Sequence, residues 1–248
     1  MKYLTLTQDN LISEHICCAF SDKKCHEGYL LKKKWLSERI HEGYTFLKAD
    51  VRAKVFIEFG DAEKAWAPIN APGYTFIGCF WVSGQYKGHG YAKALLQQCI
   101  NDSKGKNGIV VITGNKKLPF LSDAAFFQKH GFIKADIAPP YFELWYLPLK
   151  SDCQTPEFSE SCKTPAIKNS KGIEVFYTSQ CPFTDYYTNE VLSKAAKNAG
   201  YNFTAHHIKS ADDARAHITA FPLYSVFMDG VFLTHEILSK KRFEKLLG

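Results

Sequence analysis

The chain has 248 residues, of which 46% are hydrophobic and 23% charged, and it carries a net charge of +6. That balance suits a soluble globular protein made of one large domain or two smaller ones. A modest positive excess, with no basic run interleaved with aromatics, argues against nucleic acid as a partner. No apolar run approaches the length of a membrane span, so no membrane partner is expected either.

The opening stretch, MKYLTLTQDNLISEH, lacks the apolar core of a signal peptide. Eight scattered cysteines without such a signal read as thiols of a reducing cytoplasm. Lys2 to Leu6 reads as a short strand, and Thr7 or Asp9 can cap a helix over Asn10 to Phe20. Over His26 to His41, Leu30, Leu31, Trp35, Leu36 and Ile40 recur at helical spacing, and Gly43 suits the helix end. On that helix Lys32-Lys33-Lys34 reads as a solvated face, as does Lys240-Lys241-Arg242 near the end of the chain. His15-x-Cys17-Cys18 and Cys25-His26 lack the paired ligands of a zinc site, so no metal is expected.

Tyr44 to Lys48 and Ala53 to Phe59 alternate as strands do, and Lys64 to Ile69 is placed to pair back across the Gly60-Asp61 turn. Ile77 to Gly84, IGCFWVSG, is apolar, aromatic and closed by glycine: a buried strand. From Gly88 onward the residues favour helix, with Tyr91, Ala94, Leu95 and Cys99 on one face. The turn between them would aim several free backbone N–H groups, with the positive end of the helix, at one point. That arrangement attracts a phosphate. A Walker loop is excluded because G-x-x-x-x-G-K-[ST] is absent, and a dinucleotide fingerprint is excluded because Lys93 stands where its third glycine belongs.

The pattern that remains, Gln85-x-x-Gly88-x-Gly90-x-Ala92 after an aromatic strand, resembles the acyl-CoA loop of the GNAT N-acetyltransferase superfamily. A second stretch strengthens the likeness. After Ile109 to Thr113, read as a buried parallel strand, Ser122 or Asp123 can cap a helix containing Phe126-Phe127-Gln128-Lys129 and ending at Gly131-Phe132. This is similar to the superfamily's second signature. The resemblance implies acetyl-CoA as cosubstrate, with Gln85, Tyr86, Lys87, Gly88, His89, Gly90, Tyr91 and Ala92 around its pyrophosphate. It also implies backbone N–H groups near Trp81 and Val82 at the thioester carbonyl, and Phe127 beside the acyl group. The family often has a proton-donating tyrosine where this chain has Phe127, so acid catalysis is not expected there. Strand Phe142 to Leu149 closes a domain of residues 1–150.

Residues 151–170 turn to Ser, Pro, Lys and Glu and read as a linker, with Cys153 and Cys162 able to pair or to exchange with another thiol. Beyond it the order is strand 172–178, helix, strand 201–208, short helix, Phe221-Pro222, two strands joined by Asp229-Gly230, and a final helix. With Cys181 at the first helix start and Thr184 in place of a second cysteine, residues 171–248 resemble a thioredoxin- or glutaredoxin-like domain. Pro222 stands where that family has its cis-proline. The resemblance implies that the helix dipole favours a Cys181 thiolate. The whole is thus a mixed α/β chain, a GNAT acyl-CoA N-acyltransferase fold followed by a small thioredoxin-like domain. That combination is similar to the YoaP group of N-acetyltransferases.

The expected reaction is acetyl transfer to a primary amine, on a small molecule or a peptide, by direct attack. Glu58 is the first candidate for the base and Glu63 the second. Two other readings compete: a thiol-handling protein acting through Cys181, and a silent acyl-CoA binder.

Overall fold

The computed structural model describes residues 1–247. Seven strands form the first sheet in the order β1-β2-β3-β5-β6-β8-β7. They are β1 (Tyr3–Thr5), β2 (Thr45–Ala49), β3 (Val55–Asp61), β5 (Tyr74–Val82), β6 (Gly108–Gly114), β7 (Ile133–Ala138) and β8 (Phe142–Pro148). A separate two-residue strand, β4 (Ile69–Asn70), pairs with β9 (Glu157–Phe158). Helices α2 (Tyr91–Asp102) and α3 (Ala124–Lys129) cover one face of the sheet, where Leu47, Ile57, Ile77 and Val111 meet Leu95, Leu96 and Phe127. Helix α1 (His26–His41) covers the other, with Trp35 and Leu36 against Phe46 and Phe56.

One feature of the first sheet positions everything else. Strands β5 and β6 are parallel, but they pair only from Tyr74–Gly108 to Ile77–Val111. Past that point β5 stays zipped to β3 as far as Val82, and β6 to β8 as far as Gly114. A register shift at Glu58/Phe59 opposite Gly78 bends β5 where it departs. The facing edges of the two strands are therefore left without a partner strand.

The second sheet runs β11-β10-β12-β13. Its strands are β10 (Ile173–Tyr177), β11 (Phe203–His207), β12 (Tyr224–Met228) and β13 (Val231–Thr234), and only β10–β11 is parallel. Between β10 and β11 a helical run passes from α4 (Thr184–Tyr186) through a π-helical stretch (Tyr187–Leu192) into α5 (Ser193–Asn198). Helix α6 (Ala211–Arg215) and helix α7 (Lys240–Leu247) follow. Ile173, Val175, Leu192, Tyr224, Val226 and Phe243 make the core of this second unit.

Four expectations from the sequence give way to tertiary packing. Asn10 to Phe20 is not a helix: Leu11 and Glu14 close isolated turns, and Cys17 and Ala19 sit at φ +64° and +56°. That irregular path lets Leu11, Ile16 and Cys17 reach the core beside Trp35. Lys64 to Ile69 does not pair back on β3; Ala62–Lys64 is a 3-10 turn and Ile69 bonds to β9 instead. Residues 151–170 do not hang free. Phe158 and Cys162 are fully buried, and the Lys163 ammonium is paired to Asp136 at 2.6 Å. Finally, Pro139–Pro140 is the one cis peptide among the described residues, so Phe221–Pro222 is trans.

Candidate active site

The loop after β5 has the conformation its glycines permit. Gly84, Gly88 and Gly90 all take positive φ, +53°, +79° and +78°. A Cβ on Gly88 would meet nothing within 4 Å, so this glycine serves the backbone path and the open space above it. Gly90 is the N-cap of α2 and has no side-chain hydrogen bond to the helix. The first-turn N–H groups, at Tyr91, Ala92 and Lys93, are left without a capping side chain, at the positive end of a twelve-residue helix. Gln85, Lys87 and His89 stand exposed around this point, while Tyr86 and Tyr91 pack edge-on at 5.5 Å beneath it.

Upstream, Trp81 and Val82 lie on the part of β5 that has left β6. Trp81 is 42% exposed and faces away from α2, on the same side as Phe56 and Glu58; Phe80 points to the α2 side against Phe126 and Phe127. Phe127 itself has no accessible surface and is wedged among Phe80, Phe126 and Phe132. It belongs to the core, and the half-buried Phe126 is the member of the pair with surface to offer.

On the α1 side a cavity of about 150 Å³ reaches both parted strands, from Ile77 to Trp81 on β5 and Ile112 on β6. Its walls are mostly apolar. Its polar centre is an ion pair: Lys32 Nζ donates to Glu58 Oε2 at 2.5 Å, with the two side chains 3% and 4% exposed. Lys32 is therefore not part of a solvated face, and Glu58 is not a surface charge. The Lys32 ammonium lies 4.4 Å over the Trp35 ring, and the Tyr44 hydroxyl donates to the same Oε2 at 3.4 Å. Oε1 accepts no hydrogen bond among the described residues, and Glu58 lines the cavity. Burial raises the Glu58 pKa above the ordinary carboxylate value, and the charge and hydrogen bond of Lys32 draw it back down.

The outer wall comes from the second unit, through Gln180 to Phe183 and Ala220 to Leu223. Cys181 thus shares the cavity with Glu58, and with Cys18 and Cys79. Glu58 and Cys181 stand far apart in the sequence, and the fold brings them together. It also adds Lys32 and Lys54, which carry no local signal of burial. All eight cysteines are free. The expectation of a Cys181 thiolate is corrected: burial pushes its pKa up to about 11, more than the Phe183 backbone N–H can offset. Cys18 and Cys79 are raised too, again by burial. Cys153 and Cys162 do not line the cavity. Nor does Glu63, whose Oε1 accepts from the Gly73 N–H at 2.6 Å. No group of three metal-ligating side chains exists among the described residues, and no helix is long and apolar enough to cross a membrane.

Comparison with known proteins places this geometry. Residues 44–134 match the model of the acetyltransferase (GNAT) domain, and residues 202–245 match the YoaP-like family. Across the whole chain there is 45% identity over 250 residues to the N-acetyltransferase YoaP of Bacillus subtilis strain 168, itself uncharacterized, covering 99% of that protein. The chain belongs to the YoaP-like GNAT acetyltransferases. Solved relatives are more distant. The GNAT N-acetyltransferase YhbS of Escherichia coli, crystallised with CoA, is 14% identical over 64% of this chain and 89% of its own, with a TM-score of 0.40. A GNAT acetyltransferase of Staphylococcus aureus Mu50 is 15% identical over 60% of this chain and 99% of its own, at 0.42. Within the YoaP-like GNAT acetyltransferase, the 44–134 match takes in β5, the glycine loop and α2, while the 202–245 match lies in the second sheet.

Proposed function

We propose that this acetyltransferase moves the acetyl group of acetyl-CoA to a primary amine by direct attack, with Glu58 as the base. Acetyl-CoA is the donor. Its pyrophosphate would rest on the loop Gln85 to Ala92, its pantetheine arm would occupy the gap between β5 and β6, and its thioester would reach the cavity near Trp81 and Val82. The amine nitrogen attacks the carbonyl carbon, the carbon–sulfur bond breaks, and CoA leaves as a thiolate that takes a proton from solvent. The proton lost by the amine goes to Glu58 Oε1. No acid is asked of Phe127, because a thiolate departs readily.

The observation that carries this reading is Glu58, whose Oε1 has no hydrogen-bond partner among the described residues, in the lining of a cavity that touches both parted strands. Lys32 supports it by opposing, through its charge and hydrogen bond, the upward shift that burial gives the carboxylate. The order of the second sheet, with one parallel and two antiparallel pairings, supports a thioredoxin-like reading of residues 171–248. A redox role for Cys181 is less well supported, since a half-buried thiol held protonated is a poor nucleophile. The test is calorimetric titration of acetyl-CoA into wild type and Gly88→Glu, followed by mass spectrometry with a panel of amines. Wild type should bind at micromolar concentration and yield a product heavier by one acetyl group. The mutant should do neither, with its fold intact. Binding without any product would leave a silent acyl-CoA binder.

A further inference from the structure

Resting on that reading, we infer that the acceptor is a small ω-amino acid: a primary amine whose carboxylate lies at the far end of an apolar body. Phe56 and Glu58 point to one side of β3, and Lys54, one residue before the strand begins, joins them in lining the cavity. Their Cα atoms span about 13 Å at the usual rise of a strand. Two charged side chains therefore face one cavity, with an aromatic ring between them.

Their charges are not equally committed. Lys32 is spent on Glu58. Glu58 keeps Oε1 free for an ammonium or an attacking amine. Lys54 makes no ion pair or hydrogen bond through its Nζ among the described residues; its ammonium only rides 5.3 Å over the Phe183 ring. It is the uncommitted cation of this cavity, and Phe183 comes from the second unit. Apart from these charges the lining is largely apolar, with Phe56, Cys18, Cys181 and Phe183 among it, while Gln180 and Ser122 add an amide and a hydroxyl. The cavity measures about 150 Å³ and takes residues 180–183 and 220–223 into its wall, which suits a small acceptor better than a peptide.

The experiment uses the full chain, acetyl-CoA, and matched primary amines of four, six and eight carbons ending in methyl, carboxylate or ammonium. A peptide with a free N-terminus and an α-amino acid complete the set. At one chain length the carboxylate-ended amine should show kcat/KM about tenfold above its methyl-ended partner, mainly through KM. Lys54→Met should erase that ratio and Lys54→Arg should keep it. Equal rates for the two ends, a ratio that survives Lys54→Met, or ready acetylation of the peptide or the α-amino acid would each overturn the inference. So would a loss of acetyl-CoA affinity in Lys54→Met, which would assign Lys54 to the cofactor. Failure of wild type to bind acetyl-CoA at all would instead overturn the reading beneath it.

Discussion

Glu58 holds a charge where charge is costly, and Lys32 is what makes that tolerable. A buried carboxylate without its partner takes up a proton near neutral pH. Replacing Glu58 by Gln should lower kcat about 100-fold or more while leaving acetyl-CoA affinity within about twofold, measured by steady-state kinetics and calorimetry. The Lys32→Met change tests the pair from the other side. Burial already displaces the Glu58 pKa upward, and Lys32 opposes that displacement. Activity that needs ionised Glu58 falls as pH drops through its pKa, so removing Lys32 should move the acidic limb of kcat/KM to higher pH. A limb that stays in place would exclude Glu58 as the titrating group. Cys181 behaves in the opposite sense to a redox thiol. With its pKa pushed from 9.0 to about 11, its thiolate fraction at pH 7.5 is about 100-fold below that of an ordinary cysteine. Alkylation followed by peptide mapping should find it correspondingly slow to react.

Among the elements, α1 does the most to assemble the site. It presents Lys32 and Trp35 to the cavity side of the sheet, and near its start it offers Gly28 to the second unit. A Cβ at Gly28 would stand 2.2 Å from the Pro182 carbonyl oxygen, a backbone atom that cannot swing aside. In an exposed helix, alanine for glycine gains up to about 1 kcal/mol. Here the expected sign is reversed: Gly28→Ala should lower the melting temperature, and the displaced wall should let Cys181 alkylate faster than in wild type. A more stable variant with an equally slow thiol would mean that the two surfaces do not meet this closely.

The whole molecule reads as two sheets held around one cavity rather than two beads on a string. Arg215 donates to the Glu63 carbonyl at 2.9 Å, and the Tyr141 hydroxyl and His235 Nδ1 meet at 2.6 Å. His235 Nε2 donates in turn to the Pro119 carbonyl at 2.8 Å. The stretch 151–170 is sewn down between them by β9, Phe158 and Lys163. Its composition suggests an easy target for a protease, but buried Phe158 and Cys162 and the Lys163 ion pair hold it in place. Trypsin under native conditions should leave the 151–170 stretch uncut, at Lys163 and Lys168 alike, for as long as the rest of the chain survives. Early release of two stable halves would refute this.

What depends on neighbours along the chain can be read from the residues alone. The strand, the glycine loop and helix α2 were legible because positive φ at Gly88 and Gly90 and the apolar run before them are local properties. So were α1, with its helical spacing, and the Asp123 cap that accepts from the Ala125 N–H. The tertiary structure alone decided what depends on distant neighbours. Residues 10–20 carry helix-forming residues, yet the core they must reach bends them into turns. Lys32 sits in a run of three lysines, and only the arrival of Glu58 from β3 makes one of them a buried cation. Glu58, Lys54 and Cys181 became one site because the second sheet folds back onto the first. Burial, which sets their protonation, is a property of packing that no spacing encodes.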